Sequence, residues 1–224
     1  MEHSELLLLY KNMITLRRIA FAYGINPNNF VDMDTVYVSS LDGTYDIKIG
    51  EGSIIAPYVC FYGKVVIGKD TFIGPFIELY NVSIGDRCEI GRPQIIDTNI
   101  GDDARIGKFA EMKNVKKIGK NFHALHSSYL GDVEEIGDDV NIAANTVTAN
   151  FDGTPIKNKT IIGNRVETGI NSSLVSRKDK TKKNEPGLLI IGDDVTIGAN
   201  AIITKDVPPG VTVIGLNKIL EKKD

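Results

Sequence analysis

An isoleucine followed by glycine recurs along this chain in a way that few folds can accommodate. The pairs are Ile49-Gly50, Ile67-Gly68, Ile84-Gly85, Ile100-Gly101, Ile118-Gly119, Ile136-Gly137, Ile162-Gly163 and Ile191-Gly192. Successive pairs lie 18, 17, 16, 18, 18, 26 and 29 residues apart. Eighteen is three sixes, and the intermediate sixes show as Ile67/Ile73, Ile84/Ile90, Ile100/Ile106, Ile136/Ile142 and Ile191/Ile197. An inward aliphatic every sixth residue, followed by a small or turn-permissive one, reads as short strand, turn, short strand. Three such units close a triangular coil, and stacked coils make a parallel β-helix. Each coil then gives its backbone hydrogen bonds to the coils above and below. Glycine is expected to relieve the left-handed backbone at the corners.

The two long intervals mark interruptions. The interval of 26 is one coil plus eight residues and places a loop around Asn150 to Lys159. The interval of 29 is one coil plus eleven and places a second around Arg177 to Gly187. The first carries Phe151 and Gly153 among lysines beside the densest polar motifs, the setting in which loops carry binding residues. The second, rich in Lys, reads as a solvated charge run that could meet an anionic cofactor tail.

Ahead of the repeat, Ser4 to Tyr23 is expected to form one helix, with Ser4 as N-cap and Gly24 past its end. Its apolar stripe is Leu6, Leu9, Tyr10, Met13, Leu16 and Ala20. The run from Leu6 to Tyr10 is too short for a membrane span or signal core, and Lys11, Arg17 and Arg18 interrupt it. The division is therefore a helix and linker over 1–30 and a β-helix domain over 31–224. A net charge of −3 gives no electrostatic reason to expect nucleic acid or an anionic membrane. Two cysteines, Cys60 and Cys88, lack disulfide or metal spacing, which points to a reduced, cytoplasmic setting.

Chemistry concentrates between Gly107 and Gly153. A β-helix zinc site needs three histidines, and one coil offers two, His123 and His126, so no metal is predicted. Histidine on such a scaffold is most useful as a general base, since imidazole titrates nearest neutral pH. In the eighteen-residue register His126 lies above Lys108 and below Ala144. Tyr129 is expected at the next corner, two register positions before Lys113. Ala143 and Ala144 leave room beside His126, and Lys113 and Lys157 offer cations to an anionic substrate such as a phosphate. No Gly-rich phosphate loop and no Ser-His-Asp order is present, so phosphoryl transfer and serine-type hydrolysis lack their parts.

The residues that carry a resemblance are Phe109-Ala110-Glu111-Met112-Lys113-Asn114, His126 to Asp132, Asn141-Ile142-Ala143-Ala144-Asn145-Thr146 and Asn150-Phe151-Asp152-Gly153. Lys157 to Gly163, Asn171 to Val175, Ile197 to Asn200 and Thr204 to Gly210 continue it. They resemble the acetyltransferase half of the bifunctional bacterial family that joins glucosamine-1-phosphate N-acetyltransferase to N-acetylglucosamine-1-phosphate uridyltransferase. The likeness reaches back to Val31–Val38 and to the helix around Arg17-Arg18-Ile19, covering nearly the whole chain.

The resemblance implies an all-β, left-handed parallel β-helix of hexapeptide repeats with a short N-terminal helix. It implies N-acetyl transfer from acetyl-CoA to an amino-sugar phosphate, glucosamine 1-phosphate first. His126 would be the general base. Lys113, Tyr129, Asn141 and Lys157 would hold the sugar phosphate, and Ala144, Asn150, Phe151 and Ala199 would line the acetyl-CoA site. A cytoplasmic homotrimer is implied. Departures are Arg92-Pro93, three residues upstream of the family's Arg-Pro pair, Ala143-Ala144-Asn145 for the usual Gly-Ala-Gly, Ile170 for a serine, and the 177–187 insertion. A transferase acting on a nucleotide-linked amino sugar, and a non-catalytic β-helix that binds a sugar nucleotide or scaffolds a partner, are the alternatives.

Overall fold

The computed structural model describes residues 3–178 and 185–215. From Tyr37 onward the described chain winds as a left-handed parallel β-helix, three short strands to a coil. The first face stacks the repeat as the spacing requires. Ile49 lies in register with Ile67, then Ile84, Ile100, Ile118, Ile136, Ile162 and Ile191, and Val207 closes the column. The second face stacks Ile55, Ile73, Ile90, Ile106, Ala124 and Ile142 inward, and the third stacks Phe61, Leu79, Ile95, Met112 and Leu130. All but the part-buried Ile49, which packs against it, lie in one continuous buried core. Each buried aliphatic contributes about 1.5–3 kcal/mol relative to exposure.

Three corners, here A, B and C, join the faces in order. Corner A carries Asp70, Arg87, Asp103, Asn121, Asp139, Arg165 and Asp194, all at positive φ. Corner B carries Tyr58, Phe76, Phe109, Ser127, Asn145, Asn171 and Asn200, and corner C carries Asn81, Asp97, Asn114 and Asp132. Most are Asn or Asp, whose short polar side chains tolerate the left-handed region. Glycine serves the corners as expected at Gly52, Gly63 and Gly210, which continue columns A, C and A at positive φ, but not at the Ile-Gly pairs. The glycines of the Ile-Gly pairs keep ordinary φ; they are there for space. A Cβ on Gly101 would lie 2.6 Å from the Gly119 carbonyl oxygen of the next coil. Where the residue after the glycine is Asp or Asn, it caps the coil below. Asp138 accepts the Lys120 amide at 2.8 Å, Asn164 the Asp138 amide at 2.9 Å and Asp193 the Asn164 amide at 2.8 Å.

The N-terminal expectation is corrected too. Helix α1 is confined to His3–Lys11. Ile14–Thr15 then pairs antiparallel with Tyr37–Val38, and Leu16–Arg18 is a 3-10 turn. The apolar stripe is real but divided. Leu9 packs with Tyr62 and Tyr80 on the outside of the third face, while Leu16 and Ala20 enter the main core. Among the described residues no helix is long and apolar enough to cross a membrane.

Both predicted loops close where the arithmetic places them. The Asn158 amide donates to the Asn150 carbonyl at 2.8 Å, so the eight residues beyond Asn150 leave the coil and return. Gly187 abuts the Arg177 carbonyl so closely that no side chain fits there. Within that second loop, residues 179–184 lie outside the described residues.

Candidate active site

Corner B and the third face meet in the coil that holds His126. Its backbone is pinned from both sides: the Ser127 amide donates to Lys108 and the Asn145 amide to His126, each at 3.1 Å. The register continues upward as Asn171 N–H to Ala144 and Asn200 N–H to Ile170, at 3.0 and 2.9 Å. Lys108, His126, Ala144, Ile170 and Ala199 therefore form one column along the corner. The imidazole is exposed, and its Nδ1 accepts the Lys108 amide at 2.9 Å. Ala144 is part-exposed beside it, but Ala143 is buried and belongs to the inside of the coil.

On the third face, Tyr129 stands in register with Glu111 below and Val147 above. It opens a strand; the corner residue proper is Ser127. Its position two residues before that of Lys113 is as expected, because Gly131 pairs with Lys113. The phenol lies over Gly131: a Cβ there would stand 2.7 Å from Cζ of Tyr129 and 2.9 Å from Nδ2 of Asn150. Burial pushes the Tyr129 phenol up, with the hydrogen bond from Asn150 opposing it, so the group stays a neutral donor. Asn150 is buried and donates to Asp132 at 2.5 Å, while Asn114 donates to the other Asp132 oxygen at 3.0 Å. Asp132 is the hub of this cluster. The sequence contains it within a quoted motif but gives no sign of its role, which arises only when neighbouring coils stack.

Lys113 and Lys157 are exposed and enter none of the ion pairs among the described residues. Lys157 places its ammonium 4.1 Å from the ring centre of Phe151, at the base of the first loop, just beyond its neck. Such an exposed contact contributes about 0.5–1 kcal/mol. The position one coil below Lys113 is Ile96, so no second cation supports it there. Arg92 stands instead in register with Lys108, its guanidinium 4.5 Å from the Phe76 ring centre and 5.7 Å from that of Phe109.

The predicted residues thus fall into three groups. His126, Ala144 and Ala199 share the corner column. Lys113, Tyr129, Asn150, Phe151 and Lys157 gather toward corner C. Asn141 lies on the second face between His123 and Glu167, across corner B from the rest. Among the described residues no group of His, Cys, Asp and Glu is disposed to hold a metal.

Fold and repeat together define a hexapeptide-repeat protein of the left-handed β-helix class. Residues 46–76 match the family described as bacterial transferase hexapeptide (six repeats), and 188–215 match the hexapeptide repeat of succinyl-transferase. Among curated proteins, the bifunctional protein GlmU of Synechococcus elongatus is 35% identical over 189 residues, covering 77% of this chain and 39% of that protein. GlmU of Acidithiobacillus ferrooxidans is 38% identical over 81% of this chain and 36% of its own length. GlmU of Thermoanaerobacter pseudethanolicus is 29% identical over 99% of this chain and 48% of its own. The chain spans less than half the length of these relatives. They are the family that the motif stretch resembles, and the chain is similar to their hexapeptide-repeat part. Among solved structures, a variant of GDP-perosamine N-acetyl transferase from Caulobacter crescentus, in complex with CoA and GDP-perosamine, is 15% identical. It aligns over 89% of this chain and 59% of that one with a TM-score of 0.20, at which the likeness carries no argument.

Proposed function

We propose that the chain transfers an acetyl group from acetyl-CoA to the amine of an amino sugar, with glucosamine 1-phosphate as acceptor. The observation that carries the reading is that one coil presents His126 and Tyr129, with Lys113 and Asn150 stacked against it from the coils on either side. A scaffold needs none of these groups, and the family likeness supports the same reading.

In this account Lys113 and Lys157 attract the sugar phosphate as point charges. Asn150 is prealigned by Asp132, and Tyr129 by Asn150, so both need little reordering on binding. Small side chains at Ala144 and Ala199 leave a shallow track along the corner for the thioester arm, with Ile170 offering apolar surface between them. The amine nitrogen attacks the thioester carbon, His126 takes a proton from that nitrogen, and the C–S bond breaks as the thiolate is protonated. With Nδ1 accepting from Lys108, the neutral ring carries its proton on Nε2. The base role therefore includes a turn of the ring that frees an outward lone pair.

On this reading the chain acts as a homotrimer, in which another copy's second face would bring Asn141 to the acceptor held on the first copy's third face. The free thiols of Cys60 and Cys88 suit a reducing cytoplasm. Thiol release from acetyl-CoA, measured against a panel of amino sugars with and without phosphate, tests the reading. Release with glucosamine 1-phosphate above the other sugars is expected; release with no amino sugar would overturn it.

A further inference from the structure

Asn158 sits where the two insertions meet, and each of its polar groups is committed to a different piece of chain. It is 0% exposed. Its backbone amide donates to the Asn150 carbonyl at 2.8 Å and closes the neck of the first loop. Its side-chain Nδ2 donates to Oδ2 of Asp152 at 3.1 Å. Its Oδ1 accepts the Gly187 amide at 2.8 Å, and the Gly187 carbonyl accepts the Lys159 amide at 2.8 Å. Gly187 closes the second insertion against Arg177.

Asp152 passes this restraint on to the loop tip. Its Oδ1 accepts from the amide and the hydroxyl of Thr154, at 3.2 and 2.7 Å, while Oδ2 is held by Asn158. The carboxylate so fixed stands next to Phe151, and the loop returns through Lys157 into Asn158. The side chains expected to meet substrate, Asn150, Phe151 and Lys157, thus hang from a frame whose buried pin is Asn158. A side chain that only filled space would leave Asp152 and the Gly187 amide without these partners.

We infer that Asn158 is a positioning residue: it seats the loop bearing Asn150, Phe151 and Lys157 and locks it to the base of the 177–187 insertion. Through it, the neck at Arg177 and Gly187 governs how tightly acceptor and acetyl-CoA are held. The inference rests on the acetyl-transfer reading for its kinetic consequence, but the lock itself does not.

The test exploits the near-identity in shape of Asn and Asp. In Asn158→Asp the Gly187 amide keeps its acceptor, but a carboxylate now faces Asp152 in place of a donor. KM for both substrates should rise about tenfold with kcat changed less than about twofold, as expected when binding but not chemistry is weakened. The reciprocal pair Asp152→Asn with Asn158→Asp restores a donor opposite an acceptor and should return KM to within about threefold of the parent. Hydrogen exchange of segments 150–158 and 187–191 gives an arm that needs no substrate. It should accelerate in the single variant and recover in the pair. Unchanged KM and exchange in Asn158→Asp would overturn the inference. So would a pair that stays impaired while melting like the parent. If the parent transfers no acetyl group, the exchange arm still decides whether the lock exists.

Discussion

The imidazole of His126 rests where a side chain at position 107 would stand: a Cβ on Gly107 would lie 2.8 Å from Nδ1 and 3.2 Å from Cε1. Gly107 does not have a left-handed φ, so this glycine is required by its neighbour and not by its own backbone. Gly107→Ala should fill the space in which the ring rests and turns, displacing it from the position where its freed lone pair would meet the amine. Since misplacement of about an ångström can cost of order a hundredfold in rate, kcat should fall at least tenfold while the coil stays folded. Steady-state kinetics beside a melting curve checks this. An unchanged kcat would show that the ring position is immaterial.

Stability should reside in the stacked columns. Ile136 is fully buried between Ile118 and Ile162. Ile136→Ala should cost about 2–5 kcal/mol by removing buried methyl groups and leaving a cavity. Denaturant unfolding measures it, with the parent's m-value retained. A cost below about 1 kcal/mol would mean that the column can collapse around the gap.

Much of this was legible beforehand because a β-helix turns sequence spacing into spatial register with little freedom. The eight Ile-Gly pairs stack in order, and intervals of 26 and 29 become loops with necks at Asn150/Asn158 and Arg177/Gly187. The extent of α1 was not legible. Leu9, Leu16 and Ala20 fit one helical stripe, yet Ile14 gains a strand partner in Val38, and such tertiary pairing overrides local propensity. A repeat shows that glycine is needed without showing whether φ or space demands it: Gly52, Gly63 and Gly210 answer to φ, the glycines of the Ile-Gly pairs to space. Asp132 and Asn158 escaped notice for a related reason. Asp132 meets Asn114 and Asn150 across 18 residues and Asn158 meets Gly187 across 29, and a buried amide's bonds have no signature in sequence.

The loop frame carries a pH signature. The Asn158 hydrogen bond, with those from Thr154, pushes the Asp152 carboxyl down to about 2 from an ordinary 3.8. A carboxyl held below its unfolded value stabilises the ordered form above that unfolded value, and the contribution is lost as pH falls through the folded one. Loop seating should therefore be level from neutral pH to about 4 and weaken between about 4 and 2. The chain has no tryptophan, so Phe151→Trp supplies a single fluorophore in the loop, next to Asp152. Its emission should hold steady to about pH 4 and shift below. A transition centred near pH 5–6 would point to a different group.

The central claim is that His126 takes the proton from the attacking amine. His123, one strand earlier on the second face, has no such place, so the two histidines make an internal contrast. A positioned base contributes about 10²–10⁴-fold, roughly 3–5.5 kcal/mol of barrier. The decisive measurement is thiol release with acetyl-CoA and glucosamine 1-phosphate by the parent, His126→Ala, His126→Gln and His123→Ala, each checked for the parent's assembly state and melting. Glutamine donates a hydrogen bond but cannot take up the proton. The account predicts that both His126 variants lose about 10²–10⁴-fold in kcat while His123→Ala loses less than about threefold. Equal losses at the two histidines, or near-parent activity in His126→Gln, would contradict it.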